Sequence, residues 1–195
     1  MSRIRFGFSF LTALLIALNL GCGGGRSASS GASSSTTGAP PGSGTGTTQV
    51  LMTAEPAPNF VQSVIVSFDR VTVYPSGGGA MPLVDQGPVN LPLSNSSIDL
   101  VSLPGGAPAL LASGVVMNGD YDRLEVSVSN ATITYTGGAN VSMQLRSNVV
   151  DIPASFTVPN GVTVQVVLDF DTGGSVQISD KGPTLRPTIR VSSVQ

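Results

Sequence analysis

The chain has 195 residues, 9 lysines and arginines against 11 aspartates and glutamates, and a formal net charge of −2. It holds no histidine, no tryptophan and a single cysteine, Cys22. These absences exclude a Ser/His/Asp triad, an imidazole general base, a Cys/His zinc site and an intrachain disulfide. The mild acidity, with no basic run, argues against nucleic acid as a partner.

The N-terminus reads as an export signal. Arg3 and Arg5 form a positive start, and residues 6–20 form an apolar stretch. That stretch contains Gly7, Ser9 and Thr12 and falls short of the roughly 20 apolar residues a spanning helix needs. Leu18-Asn19-Leu20-Gly21-Cys22 resembles a bacterial lipobox, in which the cysteine becomes the lipid-bearing first residue. The expectation is a signal over residues 1–21, lipidation at Cys22 and a net charge of −4 once Arg3 and Arg5 are removed. Gly23 stands where an aspartate would signal inner-membrane retention, which directs the expected anchor to the outer membrane or cell surface. Residues 22–48 are almost wholly Gly, Ser, Thr, Ala and Pro. Such composition buries too little apolar surface to offset its conformational entropy, so a flexible linker is expected there and a folded domain over 49–195.

From there the pattern has a period of two, the mark of half-buried strands. Between Ser63 and Tyr74, Val64, Val66 and Phe68 share one parity, whereas Val71 and Val73 take the other. A β-bulge at Asp69-Arg70 would keep both sets facing the core. Residues 93–114 are less regular and read as a crossing between sheets, with one helical turn at Ala107–Leu111. Leu124, Val126 and Val128 alternate cleanly, then Ala131, Ile133 and Tyr135 switch parity, placing a second bulge at Ser129-Asn130. Shorter alternations follow at Val141/Met143/Leu145, at Val162 to Phe170, at Val176/Ile178 and at Ile189/Val191. Pro187 predicts an edge position or an irregular start for the last of these. Glycine-rich turns separate the runs, and no 3.6-residue period is sustained. The predicted fold is all-β, a single Greek-key-type sandwich.

Candidate chemistry is confined to carboxylates and tyrosines. Asp169 and Asp171 lie two apart on the outward face of the clearest strand; with Asp180 or a carbonyl near Thr172-Gly173 they could hold Ca²⁺. The competing reading is a pair of solvated charges that keep the strand end soluble. Asp120, Asp122 and Glu125 cluster after a turn and are expected to form surface ion pairs with Arg123 or Arg190 rather than a glycosidase-like pair. Asp99 is expected to bond backbone amides at a crossover. Tyr74, Tyr121 and Tyr135 are expected to pack on the core with bonded hydroxyls rather than to stack on sugars.

Six segments recur in order over about three quarters of the chain: residues 50–57, Phe68-Asp69-Arg70-Val71-Thr72-Val73, Ile98-Asp99-Leu100-Val101, Gly119-Asp120-Tyr121-Asp122-Arg123-Leu124, Leu168-Asp169-Phe170-Asp171 and Leu185-Arg186-Pro187-Thr188-Ile189-Arg190-Val191. Together they resemble the bacterial lipoprotein family of domain of unknown function 4382. The resemblance implies a prealbumin-like or carboxypeptidase-regulatory-like β-sandwich. It brings no catalytic residues. In the opening turn the family's aspartate is replaced by Ala54-Glu55. The functional expectation is a non-enzymatic envelope lipoprotein acting in adhesion, surface assembly or ligand binding through strand edges and loops. Its partners would be the membrane, through the lipid, and an envelope protein or polysaccharide. The alternative is a calcium- or carbohydrate-binding module using Asp169 and Asp171.

Overall fold

A computed structural model describes residues 43–103, 105, 108–138 and 140–195. The expected signal, Cys22 and most of the linker lie outside the described residues.

In chain order the strands are β1 (Thr45–Ala54), β2 (Val61–Pro75), β3 (Val89–Leu91), β4 (Ser97–Asp99), β5 (Ala109–Met117), β6 (Gly119–Tyr135), β7 (Asn140–Ser142), β8 (Gln144–Leu145), β9 (Val149–Val158), β10 (Thr163–Phe170), β11 (Val176–Ser179), β12 (Gly182–Leu185) and β13 (Ile189–Val194). One 3₁₀ turn, Leu100–Ser102, and one helical turn, α1 (Thr172–Ser175), complete the list. The all-β expectation is met. Strand β1 reaches back four residues into the Gly/Ser/Thr tract, because Thr47 donates to the Val162 carbonyl and Gly46 packs where a side chain would strike Val158.

Four strands form one sheet in the order β13-β10-β1-β5, with β1 parallel to β10 and antiparallel to β5. The second sheet is built on β2 and β6, antiparallel strands of 15 and 17 residues. Along its outer edge β2 pairs first with β4 and then with β3, and β6 pairs with β9 and then with β7. A small third sheet, β11-β12-β8, joins the chain's end to its middle. Val50, Met52, Leu168 and Phe170 of the first sheet and Val64, Val66, Leu124 and Ile133 of the second belong to a single buried core.

Both expected bulges are present and lie opposite one another. Ser67 pairs with Asn130 and Phe68 with Val128, which leaves Ser129 extra; Phe68 and then Arg70 pair with consecutive residues of β6, which leaves Asp69 extra. Asp69, Arg70, Ser129 and Asn130 are all exposed, so each strand spends its additional residue on the solvent side and keeps its valines inside. Pro187 lies in the irregular link before β13, and β13 is a sheet edge, as its ring requires.

One expectation fails, and one strand was not among those expected. No helical turn forms at the expected place: Ala109–Leu111 is the start of β5, and Ala107 lies outside the described residues. Strand β9 carries an alternation (Ile152, Ala154, Phe156 and Val158 buried) that Pro153 interrupts in the sequence. The proline is tolerated because it is exposed and a register shift falls beside it. The crossing expected for residues 93–114 is real: β4 belongs to the second sheet and β5 to the first.

The facing of β2 and β6 gives a direct test. Val64 pairs with Ile133 on the core side, and Ile65 with Thr132 on the other, where Ile65 is 41% exposed. Ile133→Ala should lower the unfolding free energy by about 2–5 kcal/mol in urea titrations, whereas Ile65→Ala should change it by less than about 1 kcal/mol. Equal losses would show that the strand faces are assigned wrongly.

Candidate functional site

A concavity forms where β2 runs out. The loop after Pro75 begins Ser76-Gly77-Gly78-Gly79-Ala80-Met81 and folds back over the start of β6. Ser76 N–H donates to the Asp120 carbonyl (2.8 Å), and Asp120 N–H donates to the Met81 carbonyl (2.7 Å). The Asp120 carboxylate completes the clasp. Its Oδ2 accepts from Met81 N–H at 2.5 Å and its Oδ1 from the Thr157 hydroxyl of β9 at 2.6 Å. One side chain thus ties together the loop, β6 and β9.

Glycine is required at two points of this arrangement. Gly79 has φ +94°, and a Cβ there would enter Asp120 Oδ2. Gly119 has φ +151°, and its missing side chain makes room for the buried Leu83, which anchors the far end of the loop. Beneath the loop lies a cleft of about 440 Å³, walled by Ser76 and residues 78–80, 120–122 and 155–157.

Both neighbouring ladders slip at Asp122. Against β2, Tyr74 pairs with Arg123 and Pro75 with Tyr121, so Asp122 is the extra residue. Against β9, Tyr121 pairs with Phe156 and Arg123 with Pro153, so Asp122 alone faces Ala154 and Ser155. Bulges of this kind re-aim side chains and gather at binding sites. Asp122 and Ser155 are both exposed, and among the described residues neither has a hydrogen-bond or ion-pair partner. Below the cleft, Tyr121 and Phe156 turn inward and stack with ring centroids 5.3 Å apart and planes 13° apart. The Tyr121 hydroxyl donates to the Met117 carbonyl at 2.9 Å, and burial pushes the phenol up to about 12.

The expected carboxylate cluster is split by this geometry. Asp120 is only 8% exposed and among the described residues is paired with no cation, which corrects the reading of it as a surface ion-pairing residue. Its position at the start of a strand that a loop covers was invisible in a local pattern. Glu125 pairs at 3.5 Å with Arg70 rather than with the expected Arg123 or Arg190, and it accepts from the Tyr74 hydroxyl at 2.9 Å. That bond raises the Tyr74 pKa. Arg123 lies 3.6 Å over the Tyr74 ring and pairs with Asp151 at 2.9 Å. These contacts form an exposed network on the outer face, where ion pairs contribute little.

Asp169 and Asp171 are engaged separately. Asp169 Oδ2 pairs with Arg190 at 2.6 Å, and the same guanidinium pairs with Glu55, which raises the Arg190 pKa. Glu55 therefore takes a structural partner in the turn where the family pattern differs. Asp171 caps α1, its Oδ1 accepting from Gly174 N–H at 2.7 Å. Among the described residues no group of three or more acidic, histidine or cysteine side chains could hold a metal ion. Asp99 takes the role expected of it. Oδ1 accepts from the N–H groups of Val64 and Val101, and Oδ2 from the Ser63 hydroxyl.

The fold is an all-β sandwich with a cleft beside the loop that follows β2. The family described as Domain of unknown function (DUF4382) matches residues 45–187, and the chain belongs to it. No curated protein and no solved structure matches the chain.

Two measurements test the clasp. Gly79→Ala should destabilise by about 1–3 kcal/mol, because it forces a side chain into a strained backbone region and against Asp120. Gly78→Ala, where a Cβ meets nothing within 4 Å, should be neutral or stabilising by up to about 1 kcal/mol. Urea midpoints that move equally would refute the close approach. The Tyr121 phenol is harder to ionise folded than unfolded, where its pKa is about 10. Its contribution is complete below pH 10 and is lost as pH rises towards 12. Tyr121→Phe should therefore lose less stability than wild type between pH 10 and 12 in thermal melts. An unchanged slope would assign the alkaline loss to another group.

Proposed function

We propose that this chain is a non-enzymatic, lipid-anchored protein of the cell envelope that presents a Greek-key, prealbumin-like sandwich as a recognition domain. The observation that carries the reading is Cys22, the only cysteine, standing where an apolar stretch after Arg3 and Arg5 gives way to a Gly/Ser/Thr tract. Lipid chains contribute about 0.8 kcal/mol per buried CH₂, and two chains give a stable anchor where one gives only marginal binding. The tract then serves as a spacer between the lipid surface and β1, and Gly23, standing where an aspartate would signal inner-membrane retention, supports an anchor in the outer membrane or at the cell surface.

The cleft supports recognition better than catalysis. Its two carboxylates are not arranged as an acid and a base: Asp120 already accepts a bond on each oxygen, and Asp122 stands exposed. Partners of this reading are the membrane, through the lipid, and a polysaccharide or protein of the envelope met at the loop-covered face.

Metabolic labelling and fractionation test the anchor. Wild-type protein should incorporate labelled palmitate and sediment with membranes, and Cys22→Ala should do neither. Retention of Cys22→Ala in the membrane fraction would overturn the reading.

A further inference from the structure

Resting on the reading of this domain as a recognition module, we propose that the cleft under the Ser76–Ala80 loop binds a neutral sugar ring. Its volume of about 440 Å³ falls within the range of roughly 300–1,000 Å³ typical of small-ligand sites. Among the described residues no lysine or arginine lines it, whereas Asp120 and Asp122 do. An anionic ligand would find no counter-charge there and would lose its hydration without compensation. The lining instead selects a ligand rich in O–H donors. Asp122 is an acceptor only, Ser155 both donates and accepts, and each Asp120 oxygen keeps a lone pair beyond the bond it already accepts.

The carbon in the walls suits the same ligand. Gly78, Gly79, Ala80 and Phe156 among its lining residues give apolar surface beside the polar groups. A pyranose likewise alternates C–H faces with hydroxyl edges. The double slip sets Asp122 across from Ala154 and Ser155, and Asp122 and Ser155 both line the cleft, where a sugar's hydroxyls would meet them. A divalent cation is a poorer match. Two carboxylates, one of them committed to Met81 and Thr157, fall well short of the six to eight oxygens Ca²⁺ takes.

The test uses the full-length protein in a detergent without sugar headgroups. Glucose, galactose, mannose and N-acetylglucosamine are titrated calorimetrically beside glucuronic acid, N-acetylneuraminic acid and putrescine. At least one neutral sugar should saturate, and both acidic sugars should bind at least about tenfold more weakly or not at all. Asp122→Asn should weaken the neutral sugar by about tenfold, the scale of one charge-assisted hydrogen bond. Ser155→Phe, which fills the cleft from an exposed position, should abolish binding while circular dichroism and the melting temperature stay at wild-type values. The proposal is overturned if no neutral sugar saturates, if putrescine alone binds, or if Ser155→Phe binds as wild type does. Because the Cys22→Ala fractionation is independent of the cleft, blank titrations alongside a lost anchor would remove the sugar and leave the envelope reading standing.

Discussion

Everything in the second sheet depends on keeping one face of a very long antiparallel ribbon buried. A strand's side chains alternate with a period of two, so any slip of one residue sends every valine to the solvent side. Strands of 15 and 17 residues are also long enough that their right-handed twist must be accommodated as they wrap a small core. The ribbon meets both demands with one extra residue in each strand, Asp69 and Ser129, placed opposite one another. The offset between β2 and β6 is the same on either side of this double bulge, so the core pairs Val64–Ile133 and Val71–Val126 stay aligned. The short strands β3, β4 and β7 and the longer β9 then take their registers from the ribbon.

The cleft arises where that regularity ends. At Asp122 the ladders on both sides lose register, and two residues earlier Asp120 is buried with its carboxylate. Burying such a group is costly unless its oxygens are satisfied. The backbone N–H of Met81 and the hydroxyl of Thr157 supply short, charge-assisted bonds that offset the cost. The same two bonds hold a glycine-rich loop in place, so the polar group and the loop geometry explain each other. Departures from local rules (a buried carboxylate, a φ of +94°, two register slips) concentrate in one place, which is where function is expected to accumulate.

Much of the scaffold was legible in the residues because it rests on period-two patterning. The parity switches at Asp69 and Ser129 located both bulges before any coordinates did, and Pro187 marked the irregular entry to an edge. Where the pattern was broken by a residue with two meanings, legibility failed. Pro153 hid β9, since a proline is excluded from an inner strand yet permitted at an outer one. The run Ala109-Leu110-Leu111 has no alternation, so its sequence suits a helical turn over Ala107–Leu111 as well as the strand it forms. The site was harder still. Asp120, Ser155 and Thr157 are 35 or more residues apart in part and meet only through the β6–β9 pairing, which no local window contains. Gly77-Gly78-Gly79 read as a turn, and nothing in it announced that Gly79 must be glycine because a carboxylate lies against it.

Edges decide which surface remains for recognition. An exposed strand edge is a ready template for pairing with another chain, and folded domains usually block it. Here the outer edge of β5 is taken by the segment after β3: Ser94 and Asn95 donate to the Leu111 carbonyl, and Ser113 donates to that of Pro92. At the opposite end of the sheet, β13 is six residues long and carries Arg190, held by Glu55 and Asp169. A charged, short strand is a poor template. Strand addition is thereby disfavoured at both ends of the four-stranded sheet, although strand edges are what the alternating pattern alone would nominate as the interaction surface. What the fold leaves available is the loop-covered face of the other sheet, where Asp122 and Ser155 have no protein partner among the described residues. Specific contact there requires side chains whose positions are fixed in advance, and the Asp120 clasp supplies that fixity.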